Sequence, residues 1–244
     1  MNLGIEGRVA VVTGASRGIG AAVADMLQAE GARVVRVSRG EGIDVKSLDA
    51  AERIAERAGA PVDILVNNAG TSVVKALADV TDEEFREQFE LHVLASMRLM
   101  RAFAPGMAER GWGRIVNVSS SAGKRPSSNL SAAYSVAKAA QLSLSRVFAD
   151  AYGARGVLVN AVTPGPTRTP QWTEEGGLGD QTAAARGLAS RDEAIEAHGG
   201  RAPLGRFAEP DEIAAVITFL CSERASYITG ISLNMDGGRL KSLW

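Results

Sequence analysis

Short runs of consecutive apolar residues alternate along this chain with longer stretches in which apolar residues recur every three or four positions. Unbroken apolar runs are typical of strands buried on both faces of a sheet, and the longer period indicates amphipathic helices. Strands that alternate with helices predict a parallel sheet covered on both sides, which is a doubly wound, Rossmann-like α/β fold. At 244 residues the chain fits one such domain.

The pattern locates six strands and five principal helices. The strands are predicted at 8–13, 33–38, 64–67, 114–118, 157–161 and 231–234. The helices are predicted at 20–29, 48–58, 81–110, around Tyr134 and Lys138, and at 211–221. Thr81, with Glu84 three residues later, is typical of a capping box at the start of the third helix.

Residues 169–206 interrupt this alternation with seven glycines among mixed polar and helical segments. A long insertion between sheet elements is either functional or passive. Since it follows the carboxyl end of a strand, where ligands bind in open α/β sheets, we predict a substrate lid within a single domain of residues 1–244.

Composition excludes several classes of function. Hydrophobic residues make up 45% and charged residues 23%, and the net charge of −1 offers no bulk attraction to nucleic acid or anionic membranes. No apolar run approaches the ~20 residues of a membrane span. The single cysteine, Cys221, is predicted to be a buried structural thiol and fits a reducing cytoplasm. With two histidines besides, a metal site is not expected.

A glycine-rich turn follows the first predicted strand and leads into a helix. The spacing is Gly14-x-x-x-Gly18-x-Gly20. Glycines let the backbone approach a pyrophosphate closely, and a helix N-terminus favours its negative charge. The alternative is a merely tight turn, but the strand before it and the helix after it favour a dinucleotide site.

The nucleotide is indicated by the end of the second strand. An NAD site usually has an acidic residue there, which holds the ribose hydroxyls. Here Ser38 and Arg39 occupy the position, and Arg17 lies in the glycine turn. Guanidinium groups suit a 2′-phosphate, so NADP is favoured over NAD unless both arginines are only solvated surface charges.

Tyr134 and Lys138 are four residues apart and therefore lie on one face of a helix. A phenol has an unperturbed pKa of about 10, and a nearby ammonium stabilises its phenolate. The pair could thus exchange a proton near neutral pH, although the same spacing occurs by chance in many helices.

Together these motifs resemble the short-chain dehydrogenase/reductase family, in its compact single-domain form, over nearly the whole chain. Members that reduce 3-oxoacyl groups on carrier proteins are the nearest general type. The motifs that carry the resemblance are Thr13-Gly14-x-x-x-Gly18-Ile19-Gly20, Asn67-Asn68-Ala69-Gly70, Ser119-Ser120, Tyr134-x-x-x-Lys138, Asn160-x-x-x-Pro164-Gly165 and Asp236-Gly237-Gly238.

The resemblance implies a role for each matching residue. Tyr134 is expected to be the general acid in carbonyl reduction, and Lys138 to lower its pKa and hold the nicotinamide ribose. A serine is expected to hydrogen-bond the reacting oxygen. The cofactor-binding residues implied are Gly14, Ser16, Arg17, Gly18, Ile19, Gly20, Ser38, Arg39, Asp44, Val45, Asn68, Ala69, Gly70, Tyr134, Lys138, Pro164, Gly165, Thr167 and Thr169.

The chain departs from the family pattern at the serine. The usual spacing of thirteen residues before the tyrosine selects Ser121, whereas Ser-Ser-x-x-Gly, anchored on Gly123, selects Ser120. Ser120 is preferred because a strand end holds geometry better than a loop. That choice implies one extra residue in the loop 124–133.

A second departure is His92, which stands where the family usually has an asparagine that holds a water chain to the lysine. An imidazole can donate and accept, so His92 is a candidate catalytic residue, the alternative being a purely structural histidine. Because the ordinary pKa of histidine is near 6.5, replacement of His92 by asparagine would shift the acid limb of the pH profile of activity.

The sequence thus predicts an NADP-dependent oxidoreductase that moves a hydride between nicotinamide and a small carbonyl or secondary alcohol, with a 3-oxoacyl thioester among the candidates. The alternative is a nucleotide-binding or sensing protein on the same fold with altered chemistry. The resemblance also implies a homodimer or homotetramer, with Leu233 and Met235 as contacts. Neither nucleic acid nor a membrane is an expected partner.

Overall fold

The computed structural model describes residues 2–126 and 130–241, and in them six parallel strands form one sheet in the order β2-β1-β3-β4-β5-β6. The strands are β1 (Val9–Thr13), β2 (Arg33–Val37), β3 (Ile64–Asn67), β4 (Gly113–Val118), β5 (Val157–Pro164) and β6 (Ser232–Met235). The chain moves outward from β1 to β2 and then returns to β3 on the other side of β1. This reversal opens a crevice at the carboxyl ends of the strands and confirms the predicted doubly wound fold.

Ten α-helices accompany the sheet in the described residues. They are α1 (Gly18–Ala29), α2 (Ala50–Ala58), α3 (Asp82–Phe89), α4 (Ala95–Glu109), α5 (Ser121–Lys124), α6 (Ala132–Tyr152), α7 (Pro170–Thr173), α8 (Leu178–Arg186), α9 (Arg191–Gly199) and α10 (Pro210–Leu220). In the described part of the chain, no helix combines the length and the apolar character needed to cross a bilayer.

Most predicted boundaries lie within two residues of the observed ones, and β5 is the main exception. The sequence pattern predicts that this strand ends at Ala161, yet β5 continues through Pro164, which pairs with Met235 of β6. Since β4 ends at Val118, opposite Val162, the proline lies beyond the last ladder position on that side.

Two apolar cores lie on opposite faces of the sheet, because successive strand residues point to opposite faces. Val11 packs in one core with Leu99 of α4, and its neighbour Val12 packs in the other with Ile217 of α10. This double burial explains why the strands read as unbroken apolar runs. Cys221 is fully buried in the second core, where burial raises the pKa of its thiol to about 12, as expected for a structural cysteine.

The helix predicted at 81–110 is present, but it contains a wider turn in its middle. The capping box is confirmed, since the Thr81 hydroxyl accepts from the Glu84 amide at 3.3 Å. Between α3 and α4, residues Glu90–Leu94 form a π-turn. Such turns frequently occur at functional sites. Here the turn carries His92, which is fully buried.

The predicted lid segment, residues 169–206, contains the three short helices α7, α8 and α9. It has its own small apolar cluster, in which Trp172, Leu178, Ile195 and Phe207 pack together. Trp172 and Phe207 meet edge to face, with ring centroids 5.0 Å apart. The segment therefore carries a small core separate from the two main ones.

Candidate active site

A cavity of about 1160 Å³ runs along the carboxyl ends of the strands, between the glycine turn and the lid segment. Its wall includes every site residue predicted from the sequence except Gly20. Both candidate serines, Ser120 and Ser121, also line it, and so does His92. Part of the loop 124–133, where the choice of Ser120 implies an extra residue, lies outside the described residues.

The glycine turn is shaped by main-chain geometry. Gly14 and Gly18 have φ of +65° and +58°, a region that disfavours any residue with a Cβ atom. A Cβ atom on Gly20 would lie 2.3 Å from both the Asn68 amide nitrogen and the Gly14 carbonyl oxygen. Gly20 is thus packed behind the cavity wall, and its contact with a cofactor stays a prediction.

Thr13 joins the glycine turn to the strand-end motif 67–70. Its hydroxyl accepts hydrogen bonds from the amides of Asn68 and Ala69 at 2.9 and 3.0 Å, and the Asn68 side chain donates to the Thr13 carbonyl at 2.9 Å. These bonds hold a groove lined by main chain beside the N-terminus of α1. The arrangement fits a dinucleotide, because main-chain amides and a helix N-terminus suit a pyrophosphate.

One end of the cavity is lined by Ser38, Arg39, Asp44 and Val45, the residues expected at the adenosine. Arg17, expected there too, pairs its guanidinium with the Glu174 carboxylate of the lid segment at 2.5 Å. Both of these side chains are more than half exposed. The pair therefore links the glycine turn to the lid segment at the surface.

Ser120 and Tyr134 meet at the carboxyl end of β4. The Ser120 hydroxyl accepts from the Ala122 amide at 3.1 Å, which orients it at the start of α5. Burial raises the pKa of the Tyr134 phenol, and its hydrogen bond with Ser120 lowers the pKa by a smaller amount. The phenol is therefore held protonated, as an acid, in contact with the serine.

Lys138 lies one turn from Tyr134, and its amine lies over the tyrosine ring, 5.8 Å from the ring centroid. The amine donates to the Val118 carbonyl at 2.7 Å and to Gln141 Oε1 at 3.2 Å. Burial lowers the pKa of Lys138 to about 7. Burial of Tyr134 is the largest influence on its own pKa, and the expectation that Lys138 makes the phenol more acidic stays a prediction.

His92 packs edge to face against Tyr134, with ring centroids 5.3 Å apart. Its Nε2 lies 3.1 Å from both the Thr71 carbonyl and Gln88 Oε1. Because both neighbours are acceptors, Nε2 carries the hydrogen. Nδ1 is then a buried acceptor without a hydrogen-bond partner among the described residues.

The charge state of His92 differs from the sequence expectation. Burial, followed by the charge of Lys138, lowers the pKa of the imidazole well below its ordinary 6.5. A histidine that stays neutral near pH 6.5 cannot produce an acid limb there. The predicted shift of that limb therefore lacks its basis, although a hydrogen-bonding role for the neutral ring is unaffected.

The residues that line the cavity agree with the family to which this chain is similar. A family model described as enoyl-(acyl carrier protein) reductase matches residues 14–239. The chain belongs to the short-chain dehydrogenase/reductase family. Its relatives are oxidoreductases, reductases and dehydrogenases, and this member is an NAD(P)-dependent enzyme of the same kind.

Three relatives illustrate the range. The 3-oxoacyl-[acyl-carrier-protein] reductase of Vibrio cholerae is 34% identical over 97% of this chain and 98% of its own. L-sorbose reductase from Gluconobacter frateurii, solved with NADPH and L-sorbose, is 33% identical with a TM-score of 0.89, and each chain is fully covered. A putative NAD(P)-dependent gluconate 5-dehydrogenase from Beutenbergia cavernae, solved with NADP, is 34% identical over 99% of this chain and 100% of its own, with a TM-score of 0.85.

Sequence reasoning missed a polar network behind the lysine of this short-chain dehydrogenase/reductase. Gln141 accepts from Lys138 and donates to Ser96 Oγ at 3.1 Å, and Ser96 donates to the His92 carbonyl at 3.0 Å. All four residues are buried. The spacing of Gln141, three residues after Lys138, is a helical-face signal that could have revealed the first link.

Proposed function

We propose that this enzyme is a cytoplasmic, NADP-dependent oxidoreductase that interconverts a carbonyl group and a secondary alcohol on a small molecule. The observation that carries the proposal is that Ser120, Tyr134 and Lys138 line the same cavity as the glycine turn. An acid, a hydrogen-bond donor and a dinucleotide groove in one enclosure are the parts that carbonyl reduction requires.

In the reducing direction, Ser120 donates a hydrogen bond to the substrate oxygen as negative charge builds on it. Tyr134 transfers its phenolic proton to that oxygen and so completes the alcohol. When bound, the reduced nicotinamide supplies a hydride. Lys138 is the proposed proton source that restores Tyr134, and His92 contributes a neutral acceptor beside the tyrosine ring. In the oxidising direction, Tyr134 acts as the base.

NADP is proposed over NAD because Ser38 and Arg39, instead of a carboxylate, follow β2 at the adenosine end. A guanidinium matches phosphate oxygens with paired N–H donors. Arg17 can join Arg39 when its exposed pair with Glu174 opens. The NADPH and NADP present in the two similar solved structures support the same choice.

The substrate end is proposed to be closed by the lid segment 169–206, whose Trp172, Leu178 and His198 line the cavity. The similarity to a 3-oxoacyl-carrier-protein reductase supports a 3-oxoacyl thioester, and the similarity to L-sorbose reductase supports a polyhydroxy ketone. We retain both as candidates.

We further propose a homodimer or homotetramer, because large apolar side chains are exposed on α6 and β6. Val136 is 52% exposed, Val147 60% and Leu233 38%. Exposed apolar groups on neighbouring elements are typical of contacts between subunits. Light scattering that gives the mass of one chain would contradict this.

The proposal is tested by following NADPH and NADH absorbance with a panel of ketoses, 3-oxoacyl thioesters and simple ketones. Turnover of at least one carbonyl is expected with NADPH, faster than with NADH. Tyr134→Phe is expected to lower kcat by ~10²–10⁴-fold without changing NADPH affinity, because only the proton donor is lost. Tight NADPH binding without turnover of any carbonyl would instead favour the nucleotide-sensing alternative.

A further inference from the structure

The far side of the cavity carries a group of cations that the proposed reaction does not use. Arg125, Arg201 and Arg239 line the wall there, and Arg186 lies close behind them. They come from four separate segments: the end of α5, the end of α8, the residues after α9 and the residues after β6. We refer to these four residues as the arginine cluster.

Members of the cluster lie close enough together to repel one another. Burial first, and then the charges of Arg201, Arg125 and Arg186, lower the pKa of Arg239, while Asp236 raises it by the smallest amount. Arg239 also donates to the His198 carbonyl at 3.3 Å, which draws it against α9. Several guanidiniums therefore converge on one region where each destabilises the others.

The neighbouring histidine, His198, is subject to the same positive charges. Burial, followed by Arg239, Arg201 and Arg186, lowers the pKa of His198 to about 3. Its ring is 8% exposed and packs against Trp172 of the lid segment, with centroids 4.9 Å apart. The histidine is therefore neutral, and the positive charge in this corner belongs to the arginines.

Carboxylates do not neutralise the cluster within residues 2–126 and 130–241, where none of its four arginines forms an ion pair within 4.0 Å. Two nearby arginines behave differently: Arg191 pairs with Asp180, and Arg206 pairs with Glu212. Asp236, the nearest acid, uses both oxygens to accept from main-chain amides at 3.0 and 2.8 Å.

The position of the cluster separates it from the adenosine end. Arg239 follows β6, whereas Ser38 and Arg39 follow β2 at the opposite edge of the sheet. Five strand spacings separate those edges, roughly 24 Å. Arg125 lies only five positions after Ser120, at the other end of the four-residue helix α5. The cluster therefore belongs to the reacting end of the cavity and is remote from any 2′-phosphate.

We propose that the arginine cluster binds an anionic group, carboxylate or phosphate oxygens, on the substrate of this enzyme. Guanidiniums bind both groups through paired N–H donors, and such charge-assisted bonds are strong. A bound oxyanion removes the repulsion between the arginines and supplies the ion partner that they do not have among the described residues. This rests on the proposed function and narrows it: the preferred carbonyl or alcohol compound is an acid or a phosphate ester rather than a neutral sugar or ketone.

Matched substrates test the proposal. We compare a neutral ketohexose, the corresponding ketohexonate and the corresponding ketohexose phosphate, each with saturating NADPH. The wild-type enzyme is expected to prefer at least one anionic compound by about tenfold in kcat/KM. Arg201→Gln and Arg239→Gln are each expected to raise KM for that compound about tenfold, with kcat and the neutral substrate little affected. Whichever anion is preferred identifies carboxylate or phosphate as the source.

Arg101→Gln is the matched control, because Arg101 is an exposed arginine on α4 that does not line the cavity. It is expected to leave all three substrates unchanged. Equal use of neutral and anionic substrates by wild type, Arg201→Gln and Arg239→Gln would overturn the anion site while leaving the proposed reaction intact.

A second readout does not depend on turnover. Gluconate or inorganic phosphate is expected to raise the Tm of the wild-type enzyme above that in sodium chloride of equal ionic strength, and less so for the two cavity variants. A rise in Tm that depends on the arginines, without turnover of any carbonyl compound, would contradict the proposed reaction and still support the anion site. The absence of any rise with either anion would overturn the site.

Discussion

The two ends of the cavity are built in different ways. At the glycine turn the wall is main chain from two short continuous segments, 13–20 and 67–70, held by the Thr13 hydroxyl. At the arginine cluster the wall is long side chains from four segments far apart in the sequence. A groove of main chain suits a ligand that is the same in related enzymes, such as a dinucleotide. Long side chains can instead be replaced by substitution, so that related enzymes accept different substrates.

Ser120, Tyr134 and Lys138 lie between these ends, and elements near both ends hold their side chains in position. Ser120 is fixed by the start of α5, whose other end leads to Arg125. Lys138 is fixed by the end of β4, in the middle of the sheet. The reacting groups are therefore placed where the constant and the variable halves of the cavity meet.

The largest effect is expected at this junction. Ser120→Ala removes the hydroxyl bonded to Tyr134 and should lower kcat by ~10²–10³-fold, because the charge that develops on the substrate oxygen loses a donor. Steady-state rates with saturating NADPH measure it. Ser121→Ala is the matched control, since Ser121 also lines the cavity but does not influence the Tyr134 pKa. A loss of rate confined to Ser121→Ala would reverse the assignment.

A smaller effect is expected at the main-chain end. Gly20→Ala forces a Cβ atom to within 2.3 Å of Asn68 and the Gly14 carbonyl, so the glycine turn must shift. We expect a loss of about 1–3 kcal/mol in the free energy of unfolding, measured by urea denaturation, together with weaker NADPH binding.

Gly153→Ala makes the comparison sharper. A Cβ atom on Gly153 has no neighbour within 4 Å, and its φ of −57° suits any residue. Its replacement should be neutral or stabilise by up to about 1 kcal/mol, because the unfolded chain loses freedom. Equal losses in the free energy of unfolding of Gly20→Ala and Gly153→Ala would show that crowding at the glycine turn does not cause the destabilisation.

A further effect on stability concerns the protonation of Lys138. Its folded pKa of about 7 lies below the ordinary 10.5, so between these values the unfolded chain binds a proton that the folded chain does not. The penalty of burying the amine is complete below pH 7 and is relieved as pH rises. Relative to Lys138→Met, the wild-type free energy of unfolding should rise from about pH 7 to about pH 9 by at most roughly 1.4 kcal/mol per pH unit.

Urea titrations of both proteins across that range measure this difference. The comparison with Lys138→Met cancels other groups that titrate in the same window, including Cys221. A difference that stays flat with pH would mean that the amine keeps its ordinary pKa in the folded enzyme.

Much of the fold could be predicted from the sequence because the patterns that indicate its strands and helices are local. The runs Val9–Thr13 and Ile64–Asn67 are buried on both faces and therefore carry no polar alternation, and Thr81 with Glu84 announces the start of a helix. The π-turn at Glu90–Leu94 was not readable, because one extra residue in a helical turn leaves the apolar spacing almost unchanged. For a similar reason the sequence did not reveal how tightly Gly20 packs against Asn68 and Gly14: spacing does not tell a glycine that faces a cavity from one that faces a neighbouring side chain.

By itself, the sequence determined the doubly wound sheet, the glycine turn and the Tyr134–Lys138 pair, because each depends on residues within a few positions of one another. Tertiary structure decided the charge states and the far end of the cavity. Burial, which no short motif encodes, lowers the pKa values of Lys138 and His92 and raises that of Tyr134. The arginine cluster exists only because folding gathers four distant segments at one edge, where their charges act through space.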